Sequence, residues 1–269
     1  MSDDDVYEVV AVRYGRLAST RTGAFLNYPD YGEPEGPQEL AYDFWVIRNA
    51  ARTIVLDTGY SPEVGLRRGR EVLVEPAAAL EALGVRDDED TVVVLSHAHY
   101  DHIGNTGAFE RARFLMAAAE YDFWVEHPRA QHLTRQLVEQ EELDALRALR
   151  EAGRLELVEG DRELAPGVTV ISAPGHTPGE LMVLVRTEAG GVLLAADAVH
   201  FDEELERRMP FRHMCDIVAA ADCYDAIDAL RELGLVSRVI AGHEPSLRDR
   251  FPSHPDLPEH TLVLSTTTA

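Results

Sequence analysis

Apolar residues in this chain gather in short β-branched runs bounded by Gly, Pro and acidic residues, the pattern of strands buried in a packed sheet. Such runs predict strands at Tyr7–Val12, Ala41–Ile47 and Thr53–Leu56. They recur at Thr91–Leu95, Arg113–Met116, Leu155–Val158, Val168–Ser172, Leu181–Val185, Val192–Ala196, Arg238–Ala241 and Thr261–Leu264. Helical spacing fills the intervals. Pro76–Leu83 closes at Gly84, Ala117–Ala152 is largely helical with a break at Pro128, and Ile217–Leu233 ends at Gly234. The charged run Gln136–Arg150 reads as a solvated helical face. Thr22–Glu39, between the first two strands, reads as a long loop carrying Phe25, Tyr28 and Tyr31, a candidate wall for a substrate pocket. Strands in groups with helices between them, and no Pro/Gly/Ser linker, predict one α/β domain over residues 1–269.

Several of these runs end in the same way. Thr91–Leu95 leads into Ser96-His97-Ala98-His99-Tyr100-Asp101-His102. Val170–Gly175 delivers His176, Val192–Ala196 delivers Asp197, and Val239–Gly242 delivers His243. Each places a residue of metal-ligand type at the C-terminal edge of a strand, where open sheets bind ligands. Any one of the last three is weak evidence; the joint set of five histidines and two aspartates is strong. Imidazoles with a minority of carboxylates and no thiolate suit Zn(II), with Mn(II), Fe(II) or Co(II) as alternatives. Seven ligands exceed one tetrahedral ion and fit two ions sharing a carboxylate.

The order His-x-His-x-Asp-His, His, Asp, His resembles the metallo-β-lactamase superfamily of binuclear hydrolases. The likeness runs over about residues 40–245 and includes Leu56-Asp57-Thr58-Gly59 and Pro174-Gly175-His176-Thr177-Pro178-Gly179. It implies a four-layer αββα sandwich with a dinuclear site at the sheet edge. His97, His99 and His176 would hold one zinc, Asp101, His102 and His243 the other, with Asp197 bridging and Asp57 behind them as an orienting acceptor. Within that superfamily the chain is most similar to the N-acyl-homoserine lactonases, the quorum-quenching branch. Ala119-Glu120-Tyr121, the spacing from Asp197 to His243 and the segment Arg67-Arg68-Gly69-Arg70 carry that likeness. Where the branch usually has a tyrosine three residues past the bridging aspartate, this chain has His200.

The resemblance implies a metal-bridging hydroxide that opens a lactone ring, with Asp101 passing a proton to the leaving group. His200 or Tyr28 would donate to the oxyanion, and Tyr100 and His213 are further pocket candidates. The alternative is a glyoxalase II-like thioesterase, which shares these ligands and the Gly242-His243-Glu244 segment; Arg207, Arg208 and Arg212 could then bind the carboxylates of glutathione. A true β-lactamase is disfavoured, because no cysteine stands near a ligand position. A metal-binding regulatory protein is the non-enzymatic alternative. Related lactonases are often dimers, so a homodimer is expected.

Composition narrows the partners. The formal net charge is −23, and arginine supplies every basic side chain. That excess of acid repels phosphate backbones and anionic membranes, which leaves a small-molecule substrate and argues against a nuclease. No apolar run reaches the length of a membrane span, and the acidic Met-Ser-Asp-Asp-Asp start lacks a basic signal-peptide region, so a cytoplasmic location is expected. Cys215 and Cys223 are eight apart on what reads as one helix, too far for a disulfide. His127, His132, His254 and His260 lack ligand-like neighbours.

Overall fold

The structure is a computed structural model and describes residues 5–126 and 135–266. Its chain begins with a long antiparallel hairpin, β1 (Glu8–Thr20) against β2 (Pro37–Arg48), followed by β3 (Thr53–Leu56), β4 (Glu71–Val72), β5 (Val92–Val94), β6 (Arg113–Ala117) and β7 (Leu155–Val158). With the last strand of the chain these form one sheet, ordered β13-β1-β2-β3-β5-β6-β7, with β4 pairing β1. Strands β3, β5, β6 and β7 run parallel, so their C-terminal ends share one edge. The second sheet is β8 (Arg162–Ala165), β9 (Val168–Ser172), β10 (Leu181–Thr187), β11 (Gly190–Leu194) and β12 (Arg238–Ile240), ordered β12-β11-β10-β9-β8; β13 is Thr261–Val263.

Period-two alternation decides which way each strand faces. In β1, Val9 and Ala11 point into a core shared with Trp45, Leu56, Val170, Val183 and Val192, while Val10, Val12 and Tyr14 point to the opposite face. The shared core is the sheet-on-sheet interface. On the far side of the first sheet lie the helices Pro76–Ala82 and Gln140–Glu151, with Leu80, Leu143 and Leu146 buried against it. Helix Ile217–Glu232 covers the second sheet with Ala220, Cys223, Tyr224 and Ile227. Each fully buried Val, Leu or Phe in these layers contributes about 1.5–3 kcal/mol, enough to fix strand register. The architecture is αββα, as the resemblance implies.

Three sequence expectations change. The Thr22–Glu39 loop contracts, because β1 runs on to Thr20 and β2 starts at Pro37, and the connection coils into short turns at Arg21–Ala24 and Tyr28–Tyr31. The extra rungs pair polar residues such as Ser19 with Gln38, so backbone hydrogen bonds hold an arm that hydropathy cannot reveal. In the middle helical stretch, Ala118–Tyr121 passes into a π-helical turn at Asp122–Glu126 in place of regular helix, and Gln140–Glu151 is regular helix; the expected break at Pro128, with His127 and His132, lies outside the described residues. Cys215 precedes its helix, and both cysteines are free. Among the described residues no helix is long and apolar enough to cross a membrane.

Candidate metal centre

Each strand that ends at a ligand ends at the same edge of the sandwich. The loop after β5 brings His97, His99, Asp101 and His102; the second sheet contributes His176 after β9, Asp197 after β11 and His243 after β12. All seven are buried. One group comprises His97, His99, His176 and Asp197, a second Asp101, His102 and His243, and a third, overlapping both, Asp197, His200 and His243; the ligand atoms in each lie within 4.8 Å of one another. His99 Nδ1 is 2.9 Å from His97 Nε2 and 2.9 Å from His176 Nε2. Asp197 spans the groups: its Oδ2 is 3.3 Å from His176 Nε2, and its Oδ1 is 3.3 Å from His102 Nε2 and 3.0 Å from His243 Nε2.

These spacings test the fit to metal. Ligands about 2.0–2.1 Å from a tetrahedral ion lie roughly 3.3 Å apart along each edge. The edges here run from 2.9 to 3.9 Å, on both sides of that value. Asp197 Oδ1 and His102 Nε2 are also buried without a hydrogen-bond partner, which is costly unless a cation sits between such groups. Burial, reinforced by the neighbouring imidazoles, holds His97, His99 and His176 well below the ordinary histidine value, keeping them neutral as ligands must be. The donor set fits two divalent ions.

Outer contacts fix each ring. His102 Nδ1 donates to Asp57 Oδ2 at 2.7 Å, and Asp57 also accepts from the Ser96 amide (2.7 Å) and hydroxyl (2.8 Å). Asp57 holds φ at +67°, a strained conformation that aims the carboxylate inward. His176 Nδ1 donates to the His213 carbonyl at 2.6 Å and His243 Nδ1 to the Ala41 carbonyl at 2.7 Å. Gly242 leaves no room for a side chain, since a Cβ there would lie 2.4 Å from the Ala196 carbonyl oxygen.

Residues 39–243 match the model of the metallo-beta-lactamase superfamily. The chain belongs to that superfamily. It is 34% identical over 133 residues to an N-acyl homoserine lactonase of a Bacillus species, covering 49% of this chain and 48% of that protein. The chain thus spans about half the length of that curated relative. A bovine acyl-coenzyme A thioesterase is 28% identical over 219 residues, 75% of this chain and 72% of that protein. A solved quorum-quenching N-acyl homoserine lactone lactonase superimposes with a TM-score of 0.74 at 22% identity, over 91% of this chain and 95% of that one.

Above the superfamily ligands opens a cavity of about 350 Å³ lined by His99, Asp101, His176, Asp197 and His243, with Tyr42, Tyr100, Phe211 and His213 on its walls. A neighbouring cavity of about 810 Å³ shares His99, His176 and His213 and is walled by Phe123, Pro174, Pro178 and Met214. Tyr100 and His213 therefore face the site. Tyr28 does not: its hydroxyl accepts from Arg21 Nε at 2.6 Å and donates to the Pro34 carbonyl, and its ring is buried beside Phe25. His200 is fully buried behind Asp197, with Nε2 3.2 Å from Asp197 Oδ2 and Nδ1 3.2 Å from Glu204 Oε2, and its ring stacks on Phe211 at 3.7 Å. Burial pulls its pKa down, but Asp197 and Glu204 outweigh that and push it up to about 9. Arg207 is tied to Glu33 and Glu203, and Arg208 to Asp225 and Asp228, which leaves Arg212 at the cavity.

Two buried acids escape a reading by ligand type. Glu120 accepts from the Ala98 amide (2.9 Å), Trp124 Nε1 (2.6 Å) and the Gly179 amide (2.9 Å), joining the loops that carry His97 and His176. Glu180 accepts from the Asp197 amide at 3.2 Å and sits 3.2 Å from His97 Nδ1. The only sequence signal for Glu180 is an acid at the mouth of the apolar run Leu181–Val185.

Proposed function

We propose that this chain is a metal-dependent hydrolase that opens a lactone ring, an N-acyl homoserine lactone or a related small lactone. The observation that carries this reading is the convergence of two ligand groups on the two oxygens of Asp197 at the floor of a cavity. The lactonase relative supports the choice of substrate, and the adjoining cavity walled by Phe123, Pro178 and Met214 offers room for an acyl chain. Two divalent ions held here, zinc or else manganese, iron or cobalt, would supply hydroxide at neutral pH and polarise the substrate carbonyl.

The chain's own residues do the rest. Asp57 and Glu180 orient the His102 and His97 rings, and the Ala41 carbonyl fixes His243. Water adds through its oxygen to the carbonyl carbon, the ring C–O bond breaks, and the proton lost by water reaches the departing alkoxide. Asp101 would carry that proton; its place in the cavity lining, with Oδ2 3.9 Å from both His102 Nε2 and His243 Nε2, supports the role. His200, 3.2 Å from Asp197 Oδ2 and absent from the cavity lining, would act by positioning Asp197.

The bovine relative favours a second reading, thioester hydrolysis at the same site. One substrate panel separates them: homoserine lactones, simple lactones, S-lactoylglutathione and an acyl-coenzyme A, assayed with the metal content measured. Lactone opening with about two ions per chain is expected. Fast thioester turnover with inert lactones would replace the first reading by the second, and fewer than one ion per chain would remove both. Asp101→Asn is expected to lower kcat by about 10²-fold or more.

A further inference from the structure

The cavity over the Asp197 site is lined by three arginines, Arg68, Arg70 and Arg212, beside Asp101 and Asp197. Acidic side chains outnumber basic ones 48 to 25 in this chain, and Arg207 and Arg208 nearby are each tied to two carboxylates. Arg68, on the cavity wall, is neutralised by Glu139 at 2.6 Å and stacks on Tyr100. Arg70 and Arg212 differ. Arg70 is half-buried; its Nε donates to the Tyr100 hydroxyl at 3.0 Å and one terminal nitrogen to the Arg68 carbonyl at 2.7 Å. Among the described residues neither Arg70 nor Arg212 has a carboxylate within ion-pair distance, and both line the cavity.

Both line the same cavity as the candidate ligands. Arg70 is held through Tyr100, the residue before Asp101, and Arg212 adjoins His213, whose carbonyl accepts from His176. Arg70 is half-buried and Arg212 exposed, and neither is held by a carboxylate partner, so an anionic group of a ligand in the cavity would meet both without displacing an ion pair. Guanidinium also matches carboxylate geometry better than any other side chain.

We propose that the preferred substrate is a lactone bearing a second, anionic group, a carboxylate away from the scissile carbonyl, which Arg70 and Arg212 recognise. The proposal rests on the lactone reading above and deepens it. Arg70 and Arg212 are then specificity-determining residues and take no part in bond breaking.

The test compares a γ-butyrolactone carrying a side-chain carboxylate with the same lactone carrying a carboxamide. The carboxylate form is expected to show kcat/KM at least about tenfold higher, chiefly through KM, with the advantage shrinking as salt rises. Arg70→Gln and Arg212→Gln are each expected to bring the ratio towards one, and Arg212→Lys to keep part of it. A carboxamide lactone opened as fast as the carboxylate would overturn the anion proposal and leave the lactonase reading standing. If neither lactone is opened, the lactonase reading falls, and calorimetric binding of glutarate decides the anion site by itself. Glutarate binding weakened at least tenfold by Arg70→Gln and Arg212→Gln together upholds it; equal binding by wild type and double variant sinks it.

Discussion

Glu142 shows how a single side chain can carry a pH dependence for the whole molecule. It lies on the helix Gln140–Glu151, and neither of its buried oxygens has a hydrogen-bond partner. Burial first, then Glu139 and Asp101, push its carboxyl up to about 8. An unfolded glutamate titrates near about 4.3, so the native state binds the extra proton. Stability from this group is complete below about pH 4.3, falls as pH climbs through the window up to about 8, and then levels off. Glu142→Gln, uncharged throughout, is expected to match wild type at pH 4.5 and to exceed it by a few kcal/mol at pH 8.5. Urea unfolding at the two pH values measures this, and a gap of the same size at both would rule out the titration.

Among elements, the loops bearing His97 and His176 belong to different sheets, and Glu120 couples them by accepting from the Ala98 and Gly179 amides while it also accepts from Trp124. Glu120→Ala is expected to cost about 3 kcal/mol, which lowers the melting midpoint by roughly 6–12 °C for a domain of this size. It should also change the fluorescence of Trp124, which loses its acceptor. A melting midpoint within one degree of wild type would show that the loops hold without this acid. The long hairpin serves a similar end: Arg13 pairs with Asp43 at 3.0 Å and donates to the Glu244 and Pro245 carbonyls, locking the turn after His243. Legibility in sequence follows the same division. Strands β5, β9, β11 and β12 were readable because an apolar run stops at a residue of metal-ligand type, and the candidate ligand set was assembled from those run ends together with the family resemblance. The arm of β1 beyond Val12, the edge strand β8 and the short helices Pro62–Arg67 and Asp202–Arg207 were not, since they rest on backbone pairing and caps rather than on an apolar face. Glu120 entered the sequence reading only within the Ala119-Glu120-Tyr121 likeness; its link to Gly179, 59 residues away, leaves no local signal. Tyr28 was drawn to the pocket by its loop, and the structure gives it to Arg21.

On the scale of the whole molecule the net charge of −23 sets the response to salt. Many arginines form exposed ion pairs, such as Arg16 with Glu71, and these contribute little each. The uncompensated acid dominates at long range, so screening is expected to help the folded state. Raising sodium chloride from about 0.1 M to 1 M shortens the Debye length from roughly 10 Å to 3 Å and should raise the melting midpoint. A midpoint that falls with added salt would mean that the ion pairs outweigh the repulsion.

The seven ligands are divided between the sheets, with His97, His99, Asp101 and His102 on one and His176, Asp197 and His243 on the other. Ions seated among them would act as rivets through the sandwich, since the layers could not part without stripping the coordination. Starving the protein of metal would then loosen the seam between the layers before it melted either one, and proteases would find their first cuts in the loops along that rim.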